Sequence, residues 1–348
     1  MASTVTIDEL AAHLGVHKST VSRALDPARR HKISRATLQR VEAAARELGY
    51  RPNLAAATLA TGRSRTVGVL LPDITNPVFP PILRGIEDAL DARGYFALLA
   101  NTSHRPDAAQ LAVERMQQQR VEGFVIANAL RDDPWLEGLR RSGATIVLVN
   151  RTDGRGLLPA VLSDDLLGMR LAVDHLVALG HCRIVHLAGP PSISTGHTRR
   201  VGFELALREH GLAPAAIVEC DGYSVDAGRN AAASLLDAAD ASAAFTAIAA
   251  ANDLIALGAL QLLRERGVAV PRAVSIVGHN DMPLLEQISP PLTSVRIQHY
   301  EMGFRAAQAL LDMLDGLPGS EASTLLLRPQ LVVRASTQPP PDEGPGRR

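Results

Sequence analysis

Cysteine, lysine and aromatic residues are scarce in this sequence of 348 residues, and these scarcities exclude several classes of protein. The two cysteines, Cys182 and Cys220, are too few for a disulfide framework and fit no metal-ligand spacing. Because no run of about 18 apolar residues occurs, no segment is predicted to span a membrane. Met1 to Asp8 has no basic region followed by an apolar one, so we expect no signal peptide and a cytoplasmic protein.

Net charge is also missing, since 36 Lys+Arg balance 36 Asp+Glu. A total of zero argues against a bulk basic field that attracts nucleic acid. The total hides an asymmetry, however. Residues 1–65 hold 11 basic and 5 acidic side chains, a charge of about +6, and the remainder therefore carries about −6. Such an asymmetry indicates nucleic-acid contact by the basic segment, which holds both lysines, Lys18 and Lys32.

The motifs of common enzyme classes are absent as well. The sequence has no Walker motif, no Gly-x-Gly-x-x-Gly after a first strand, no His-Glu-x-x-His and no Gly-x-Ser-x-Gly. We interpret the acidic pairs Asp132-Asp133 and Asp164-Asp165 as charges at helix starts, where the helix dipole favours them. The histidines lack metal-ligand spacing, so the sequence predicts no enzyme, no cofactor and no metal.

Residues 1–50 instead predict three short helices. Thr6 and Glu9 have the spacing of a capping box, and apolar residues then repeat at helical intervals up to Gly15. A second helix with a basic, polar outer face begins about two residues later, and Ser34 can cap a third. Two helices joined by a tight turn, the second with such a face, are typical of a helix-turn-helix.

From Thr66 onward, short apolar runs alternate with helical patterns. The runs are Val67–Leu71, Phe96–Ala100, Gly123–Ala127, Ile146–Val149, Ile184–Leu187 and Val274–Val277, and the clearest helical patterns are Ile82–Ala92, Leu166–Leu179 and Leu254–Arg266. This alternation predicts parallel α/β structure with helices on both faces, and its length favours two sheets. Residues 339–348, rich in proline and charge, are predicted to be a disordered tail.

Short motifs along the whole chain carry a family resemblance. They are Val5–Ala11, Gly15-Val16, Thr20–Leu25, Glu47–Asn53, Pro72–Pro77, Asn150-Arg151, Gly180-His181, Gly202-Phe203, Ala251–Asp253 and Pro290–Thr293. In order and spacing they resemble the lactose-repressor (LacI) family of bacterial transcription regulators over roughly residues 4–337.

The resemblance implies a fold and its boundaries. A small all-α helix-turn-helix headpiece (1–50) is followed by a hinge helix and linker (51–65). The core (66–338) is similar to periplasmic binding proteins: α/β, with two doubly wound parallel-sheet subdomains. The chain is expected to cross between them near residues 160, 291 and 324, which gives an N-subdomain of about 66–160 and 292–323 and a C-subdomain of about 161–291 and 324–338.

The resemblance also implies which residues contact DNA. Lys18, Ser19 and Arg23 would read bases in the major groove, where Arg23 can pair with guanine through two hydrogen bonds. Thr20 and Ser22 resemble phosphate-positioning groups. The remaining implied contacts are Thr6, Tyr50, Asn53, Ala56 and Leu59, with Leu59 as a minor-groove wedge.

Two features of the headpiece depart from the family pattern. His17 stands where the family commonly has Ser, so the cap of the second helix is altered. The loop over residues 26–33 is about two residues longer than usual. Its basic groups either add phosphate contacts or form a solvated run, and the sequence leaves both readings open.

A ligand site is implied beyond the carboxyl ends of the core strands. Its expected residues are Asp73, Asn76, Phe79, Arg151, His197, Arg199, Tyr223, Asn252 and Asn280. Their donors and acceptors around an aromatic ring suit hydroxyl-rich ligands. Relatives often have Asp where this chain has Asn150 and Asn280. Two arginines and few acids suit a sugar acid or aromatic acid, and a neutral sugar fits nearly as well.

These features predict a homodimeric, ligand-responsive transcription regulator, most simply a repressor of a metabolic operon. It would bind double-stranded, pseudo-palindromic operator DNA, with each headpiece on one half-site, and would be nucleoid-associated when DNA-bound. A small effector (a sugar, sugar acid or other organic acid) would modulate DNA affinity. The alternatives are a solute-binding protein, which the basic headpiece disfavours, and a sugar-converting enzyme, which requires a catalytic constellation that the sequence lacks.

Overall fold

The structure, a computed structural model, describes residues 5–25, 30–50, 62–103, 105–238, 245–317 and 323–341. The contacts of the chain divide it into two compact units. The first comprises residues up to 66 together with residues 120–122, and the second comprises the rest of the chain.

Three helices build the headpiece in the first unit. They are α1 (Ile7–Leu14), α2 (Lys18–Leu25) and α3 (Arg35–Glu47), with one 3-10 turn at Arg30–Lys32. The predicted capping box is confirmed, because Glu9 N–H donates to Thr6 Oγ1 at 3.3 Å and Thr6 N–H donates to Glu9 Oε2 at 2.7 Å. Gly15 ends α1 with φ of 64°, a left-handed conformation that glycine adopts without the steric cost of a Cβ.

A small apolar core holds these helices together. Leu10 of α1, Val21 of α2 and Val41 of α3 are almost completely buried and belong to one cluster. These residues lie on the apolar faces that helical periodicity predicts. Since α1 and α2 point their apolar sides inward, the polar side of α2 faces solvent.

The second unit alternates strands and helices, as predicted. Its N-terminal part contains β1 (Thr66–Leu71), α4 (Phe79–Asp91), β2 (Phe96–Asn101), α5 (Pro106–Gln118), β3 (Gly123–Ile126), α6 (Pro134–Arg141), β4 (Ile146–Val149) and β5 (Ala160–Ser163). There follow α7 (Asp165–Ala178), β6 (Ile184–Ala188), α8 (Ser194–Glu209), β7 (Ala216–Glu219), α9 (Val225–Asp237), β8 (Ala247–Ala250), α10 (Asp253–Glu265), β9 (Ser275–Asn280), β10 (Thr293–Arg296), α11 (His299–Leu314), β11 (Thr324–Leu327) and β12 (Gln330–Val332).

The strands form two six-stranded sheets, in the orders β11-β5-β4-β3-β1-β2 and β12-β10-β9-β8-β6-β7. The described pairings are parallel except for β10 with β12, which is antiparallel. Buried runs such as Val67–Leu71 and Ile146–Val149 are apolar on both sides because helices cover both faces. The expected class, a small helical headpiece and two parallel-sheet subdomains, is confirmed.

The crossovers between the two sheets come a few residues later than predicted. β5 and β11 belong to the first sheet and β10 to the second, so the chain crosses between Ser163 and Asp165, between Arg296 and His299, and between Leu327 and Gln330. The predicted boundaries at 160, 291 and 324 therefore fall too early. Each lies before a short strand that still belongs to the sheet of the preceding subdomain. Each subdomain thus ends one strand later than the sequence suggests.

Two glycines set the closest helix packing of the N-subdomain. A Cβ added at Gly85 of α4 would overlap the carbonyl oxygen of Tyr300, and one added at Gly303 of α11 would overlap that of Ile82. The backbones of α4 and α11 therefore meet directly at these positions, which only a residue without a side chain permits.

Two general features of the described residues bear on function. None of their helices has both the length and the apolar character needed to cross a membrane. In the same part of the chain, no cluster of three or more His, Cys, Asp or Glu side chains is arranged to hold a metal ion. Of the predicted tail, residues 339–341 are described, and the rest lies outside the described residues.

Candidate functional site

The exposed face of α2 presents the side chains expected to read DNA. Lys18, Ser22 and Arg23 are exposed, whereas Ser19 and Thr20 are half-buried. Lys18 Nζ lies 3.6 Å from Asp8 Oδ1, an exposed ion pair that is worth little and does not prevent a phosphate or base contact. The face therefore carries cationic and hydroxyl donors in the pattern that suits a major groove.

His17 takes over the capping role that the sequence comparison left in doubt. Its Nδ1 accepts a hydrogen bond from Ser19 N–H at 3.2 Å and lies 2.8 Å from Ser19 Oγ. The imidazole thus satisfies one of the free N–H groups at the start of α2. The same contacts fix the rotamer of Ser19, one of the predicted base-reading residues.

The other predicted DNA residues differ in how the structure places them. Thr6 is exposed at the start of α1, and Tyr50 packs half-buried against the headpiece core, where burial raises the pKa of its hydroxyl. Asn53, Ala56 and Leu59, which the sequence assigns to the hinge, lie outside the described residues. In the longer loop, Arg30 to Lys32 form an exposed 3-10 turn, and residues 26–29 are outside the described part.

A cleft lies in the second unit where strands of the two sheets end. Its lining consists of Asn76, Val78, Phe79, Asn150, Arg151, Thr195, Arg199, Tyr223, Asn252 and Asn280. Seven of the nine predicted ligand residues are therefore brought together. Parallel topology explains this, because loops that follow parallel strands meet at the same edge of a sheet.

Arg199 is the most extensively bonded side chain of the cleft. Its Nε donates to Asp165 Oδ1 at 3.0 Å, its Nη1 to the Ala251 carbonyl at 2.7 Å, and its Nη2 to Asn280 Oδ1 at 3.2 Å. Burial acts to raise the pKa of Asp165, but the charge of Arg199 and the nearby His279, whose Nε2 lies 3.3 Å from Asp165 Oδ1, outweigh it, so this pKa lies below its usual value. The guanidinium is held in one position with a counter-ion of its own.

Neutral polar groups line the rest of the cleft. Thr195 Oγ1 and the Tyr223 hydroxyl are 3.0 Å apart, and burial raises the pKa of Tyr223. Asn252 caps α10, its Oδ1 accepting from Ile255 N–H at 2.9 Å, and Asn76 Oδ1 accepts from Val78 N–H at 3.2 Å. Both asparagines therefore retain an NH2 group that can donate to a ligand.

Two predicted ligand residues do not line the cleft. Asp73 Oδ1 accepts hydrogen bonds from the N–H and the hydroxyl of Thr75, at 2.9 and 2.7 Å, and so stabilises a local turn. His197 is half-buried, and burial together with the charge of Arg131 lowers its pKa. Like the other seven ligand residues, these two were expected from the family resemblance, which does not fix side-chain direction.

Two lining residues, Val78 and Thr195, were not predicted, and Asn150 was compared with relatives but not included among the expected ligand residues. Asn150 directly follows β4 and precedes Arg151. Its position at the end of a strand therefore predicts that it lies at the cleft. Its φ of 64° suits asparagine, which tolerates left-handed backbone better than most residues. Thr195 gave no such signal, because its contact with Tyr223 joins segments that are distant in sequence.

Several buried ionisable groups surround the cleft without lining it. Burial lowers the pKa of His186, His279 and His299 to about 4, so these imidazoles are neutral near pH 7. Burial also raises the pKa of Asp253 to about 7, although Ser294 Oγ donates to it at 2.5 Å and Met282 N–H at 2.9 Å. These groups lie close to Arg199, whose charge acts on each of them.

The fold and these two sites define a helix-turn-helix module joined to a ligand-binding module of the periplasmic-binding type. Comparison with known proteins agrees with this class. Residues 6–53 match the bacterial regulatory proteins of the lacI family, and residues 173–337 match the periplasmic binding protein-like domain.

Similar proteins are regulators along their whole length. The chain is 34% identical over 337 residues to the HTH-type transcriptional repressor CytR of Escherichia coli (strain K12), covering 96% of each protein. It is 28% identical to the lac repressor dimer bound to operator and the anti-inducer ONPF, with a TM-score of 0.84 and coverage of 97% of this chain and 100% of the other. It is 31% identical to the transcriptional regulator CelR in complex with cellobiose, with a TM-score of 0.73 and coverage of 95% of this chain and 99% of the other.

The chain belongs to the LacI family of bacterial transcriptional regulators. It is accordingly a DNA-binding regulator and not an enzyme.

Proposed function

We propose that this regulator is a repressor of a metabolic operon, and that it binds a two-fold symmetric operator as a homodimer whose DNA affinity a small polar effector controls. The observation that supports this most is the combination of an exposed basic α2 with a buried polar cleft in a separate unit. A solute-binding protein would have no use for an exposed basic helix such as α2. In this proposal the chain acts in the cytoplasm and is associated with the nucleoid when it is bound to DNA.

The DNA interface in this proposal is the exposed face of the headpiece. Arg23, Lys18 and Ser19 read bases, and Thr6, Thr20, Ser22 and Tyr50 contact the backbone of operator DNA. The hinge residues Asn53, Ala56 and Leu59 complete it, with Leu59 inserted at a minor-groove step. A wedge of this kind bends the duplex and so brings the two headpieces of a dimer onto successive half-sites.

The effector site in this proposal is the cleft between the subdomains. The ligand is bound by Asn76, Phe79, Arg151, Arg199, Tyr223, Asn252 and Asn280. Asp73 and His197, which are three and two residues away from lining residues in the sequence, complete the proposed site. The related CelR structure contains cellobiose, which supports a sugar-like effector for this chain. Three connections cross between the subdomains and can act as a hinge. When the subdomains close on a ligand, the angle between their outer faces changes.

Exposed apolar surface supports the dimer. On the edge strand β2, Phe96, Leu98 and Leu99 are exposed by 61%, 37% and 41%, and Leu284 of the C-subdomain is exposed by 67%. Large exposed apolar side chains that follow one another along a strand, as those of β2 do, mark protein interfaces. The related lac repressor structure is a dimer on its operator, so a second copy of this chain is the proposed occupant.

A mobility-shift titration with the DNA upstream of the protein's own coding region tests the proposal. We expect one sequence-specific complex, a symmetric footprint and an affinity that falls with salt at a log–log slope of about −0.9 per neutralised phosphate. The absence of a shift at every salt and ligand concentration would contradict it.

The variant Arg23→Ala tests the base-reading assignment. We expect it to relax sequence preference at one operator position by about 1–3 kcal/mol, because a bidentate contact with guanine is lost. The exposed Arg46→Ala in α3 serves as a matched control for the loss of one charge. An equal loss of affinity on all DNA sequences would show that Arg23 contacts only phosphate.

A further inference from the structure

One of the two arginines in the cleft has no counter-ion among the residues that the structure describes. Arg151 follows β4 and is only 3% exposed, and its Nε is buried with no hydrogen-bond acceptor in the described part of the chain. Burial lowers the pKa of this guanidinium to about 10, with a further small contribution from the charge of Arg199. Arg151 therefore remains protonated at neutral pH although its site disfavours the charge.

Arg199 provides the internal comparison. It is equally buried, at 2% exposure, but Asp165 balances its charge and two further acceptors satisfy its nitrogens. Within the described part of the chain, one cleft arginine thus has a counter-ion and three hydrogen bonds, whereas the other has no counter-ion and an unsatisfied Nε. Both side chains border the same cleft and are buried to the same extent, so burial does not explain why only Arg199 has a counter-ion.

No carboxylate among the described lining residues is available to Arg151. The neighbouring buried acids are engaged elsewhere. Asp153 accepts hydrogen bonds from Thr152 Oγ1 at 3.3 Å and Arg155 N–H at 3.1 Å, and Asp281 pairs with Arg296 and Arg334, each at 2.7 Å. The described cleft therefore carries one net positive charge that its own residues leave uncompensated.

An unpaired buried charge lowers the stability of the folded protein, and such charges occur at functional sites, where a ligand of opposite charge can pair with them. We propose that the effector of this regulator is a small hydroxylated carboxylate, such as a sugar acid, whose carboxylate pairs with Arg151. This rests on the proposed function and specifies the ligand class of the same cleft. The Tyr223 hydroxyl, Thr195 and the asparagine NH2 groups then bind the ligand's hydroxyls.

Among the described residues that line the cleft, Arg151 is the one cation without a counter-ion, which favours a carboxylate over a phosphate ester as the ligand. A phosphate carries about −1.5 to −2 charges at pH 7 and so would exceed the one charge that Arg151 offers. A carboxylate matches it and can accept two parallel hydrogen bonds from one guanidinium. A neutral sugar would leave the charge of Arg151 buried and unpaired.

The first test needs no ligand. Arg151→Met removes the charge and keeps a long side chain, so we expect the Tm of the ligand-free protein to rise. Arg155→Gln, at an exposed arginine that pairs with Asp132 nearby, should change the Tm little. A lower Tm for Arg151→Met would show that Arg151 has a structural partner, which contradicts the proposal.

The second test measures ligand binding by calorimetry with the full-length protein. The probes are D-glucuronate and D-galacturonate, their neutral counterparts D-glucose and D-galactose, and glucose 6-phosphate. We expect a hexuronate to bind at least about tenfold more tightly than its neutral counterpart, as one charge-assisted pair provides, and Arg151→Met to abolish that preference. Asn280→Asp, which adds a negative charge to the cleft, should also weaken hexuronate binding.

The remaining outcomes separate this inference from the proposed function. If a neutral hexose or the phosphate ester binds at least as tightly as the acids, or if no acid binds, the carboxylate assignment is wrong. Should a neutral sugar bind and change operator affinity, the proposed function would stand while this inference fails. If operator DNA itself is not bound, the failure belongs to the proposed function.

Discussion

Among single residues, Asp165 has two roles. The sequence predicts it as an acidic residue at the start of a helix, and in the structure it also pairs with Arg199. The preceding Asp164 is the N-cap of α7, since its Oδ1 accepts from Leu167 N–H at 3.0 Å. Asp165, directly after the first crossover, pairs with Arg199 at 3.0 Å and lies 3.3 Å from His279. It therefore connects the crossover with the position of a cleft arginine.

Asp165→Asn tests this connection. Because removing one partner leaves the other charge buried and unpaired, we expect the variant to lower the free energy of unfolding by about 3 kcal/mol. Chemical denaturation of both proteins measures the difference. Asp237→Asn breaks the exposed pair with Arg266 and is expected to cost less than about 1 kcal/mol. Similar effects of the two substitutions would mean that the Asp165–Arg199 pair is solvent-screened.

His186 gives the protein a defined response to acid. It is completely buried, stacks on Phe203 with ring centroids 4.9 Å apart, and its Nδ1–H donates to the Ala249 carbonyl at 2.7 Å. Burial lowers its pKa from 6.5 to about 4, so the unfolded chain binds a proton between these values and the folded chain does not. Stability contributed by the neutral imidazole is therefore lost as the pH falls from about 6.5 to 4.

His186→Gln keeps a donor for Ala249 and removes the titration. We expect the variant to lose about 2 kcal/mol less stability than the wild type between pH 7 and pH 4.5. Denaturant unfolding at the two pH values measures this, and the comparison of two proteins cancels the contributions of other groups such as Asp253. Parallel pH dependences would show that His186 is not the titrating group.

At the scale of elements, helix contacts depend on glycines that the sequence alone does not distinguish. Gly85 and Gly303 allow α4 and α11 to touch through their backbones, whereas Gly138 in α6 has open space where a Cβ would stand. All three are helical glycines. Only their surroundings separate a glycine required by packing from one that merely weakens a helix.

Alanine substitutions at these glycines should therefore have opposite signs. Gly85→Ala forces the two helices apart, and we expect a loss of at least about 2 kcal/mol in unfolding free energy. Gly138→Ala should instead stabilise by about 0.5–1 kcal/mol, because alanine is the better helix former. Thermal unfolding of both variants measures the effects. A neutral Gly85→Ala would contradict the direct backbone contact.

The accuracy of the sequence predictions also varies by element. Strands with buried apolar runs, such as Ile146–Val149, were located closely, because burial on both faces leaves a clear pattern. Six of the described strands were missed: Ala160–Ser163, Ala216–Glu219, Ala247–Ala250, Thr293–Arg296, Thr324–Leu327 and Gln330–Val332. They are only three or four residues long and are defined by pairing with distant strands, and several consist largely of alanine or polar residues that give no β-rich run. Three of these missed strands, Ala160–Ser163, Thr293–Arg296 and Thr324–Leu327, directly precede the crossovers, which is why the crossovers were placed too early.

Prediction of the candidate site was limited in a similar way. Arg151 and Asn252 follow strands directly, so parallel topology brings them to one edge and the sequence identifies them. Partnerships such as Asp165 with Arg199 join residues far apart in the chain, which no local pattern contains. Thus the sequence identified most of the cleft lining, and the structure was needed to show which charge is compensated.

At the scale of the whole molecule, the zero net charge is the sum of two unlike parts. The basic headpiece presents Lys18, Arg23 and the Arg30–Lys32 turn to solvent, while the core carries the excess of acid. An acidic core is repelled by DNA, which confines contact to the headpiece and hinge and so favours specific over diffuse binding. The charge distribution thus fits the proposed division between DNA recognition and ligand recognition.

In the proposed function, ligand binding and operator binding are linked, and a reciprocal titration measures this linkage. Fluorescence anisotropy gives the operator Kd with and without a saturating ligand, and calorimetry gives the ligand Kd with and without operator. Linkage requires the two ratios to be equal, and we expect a factor of about 5–150. A ligand that binds tightly in the cleft and leaves the operator Kd unchanged would contradict the account.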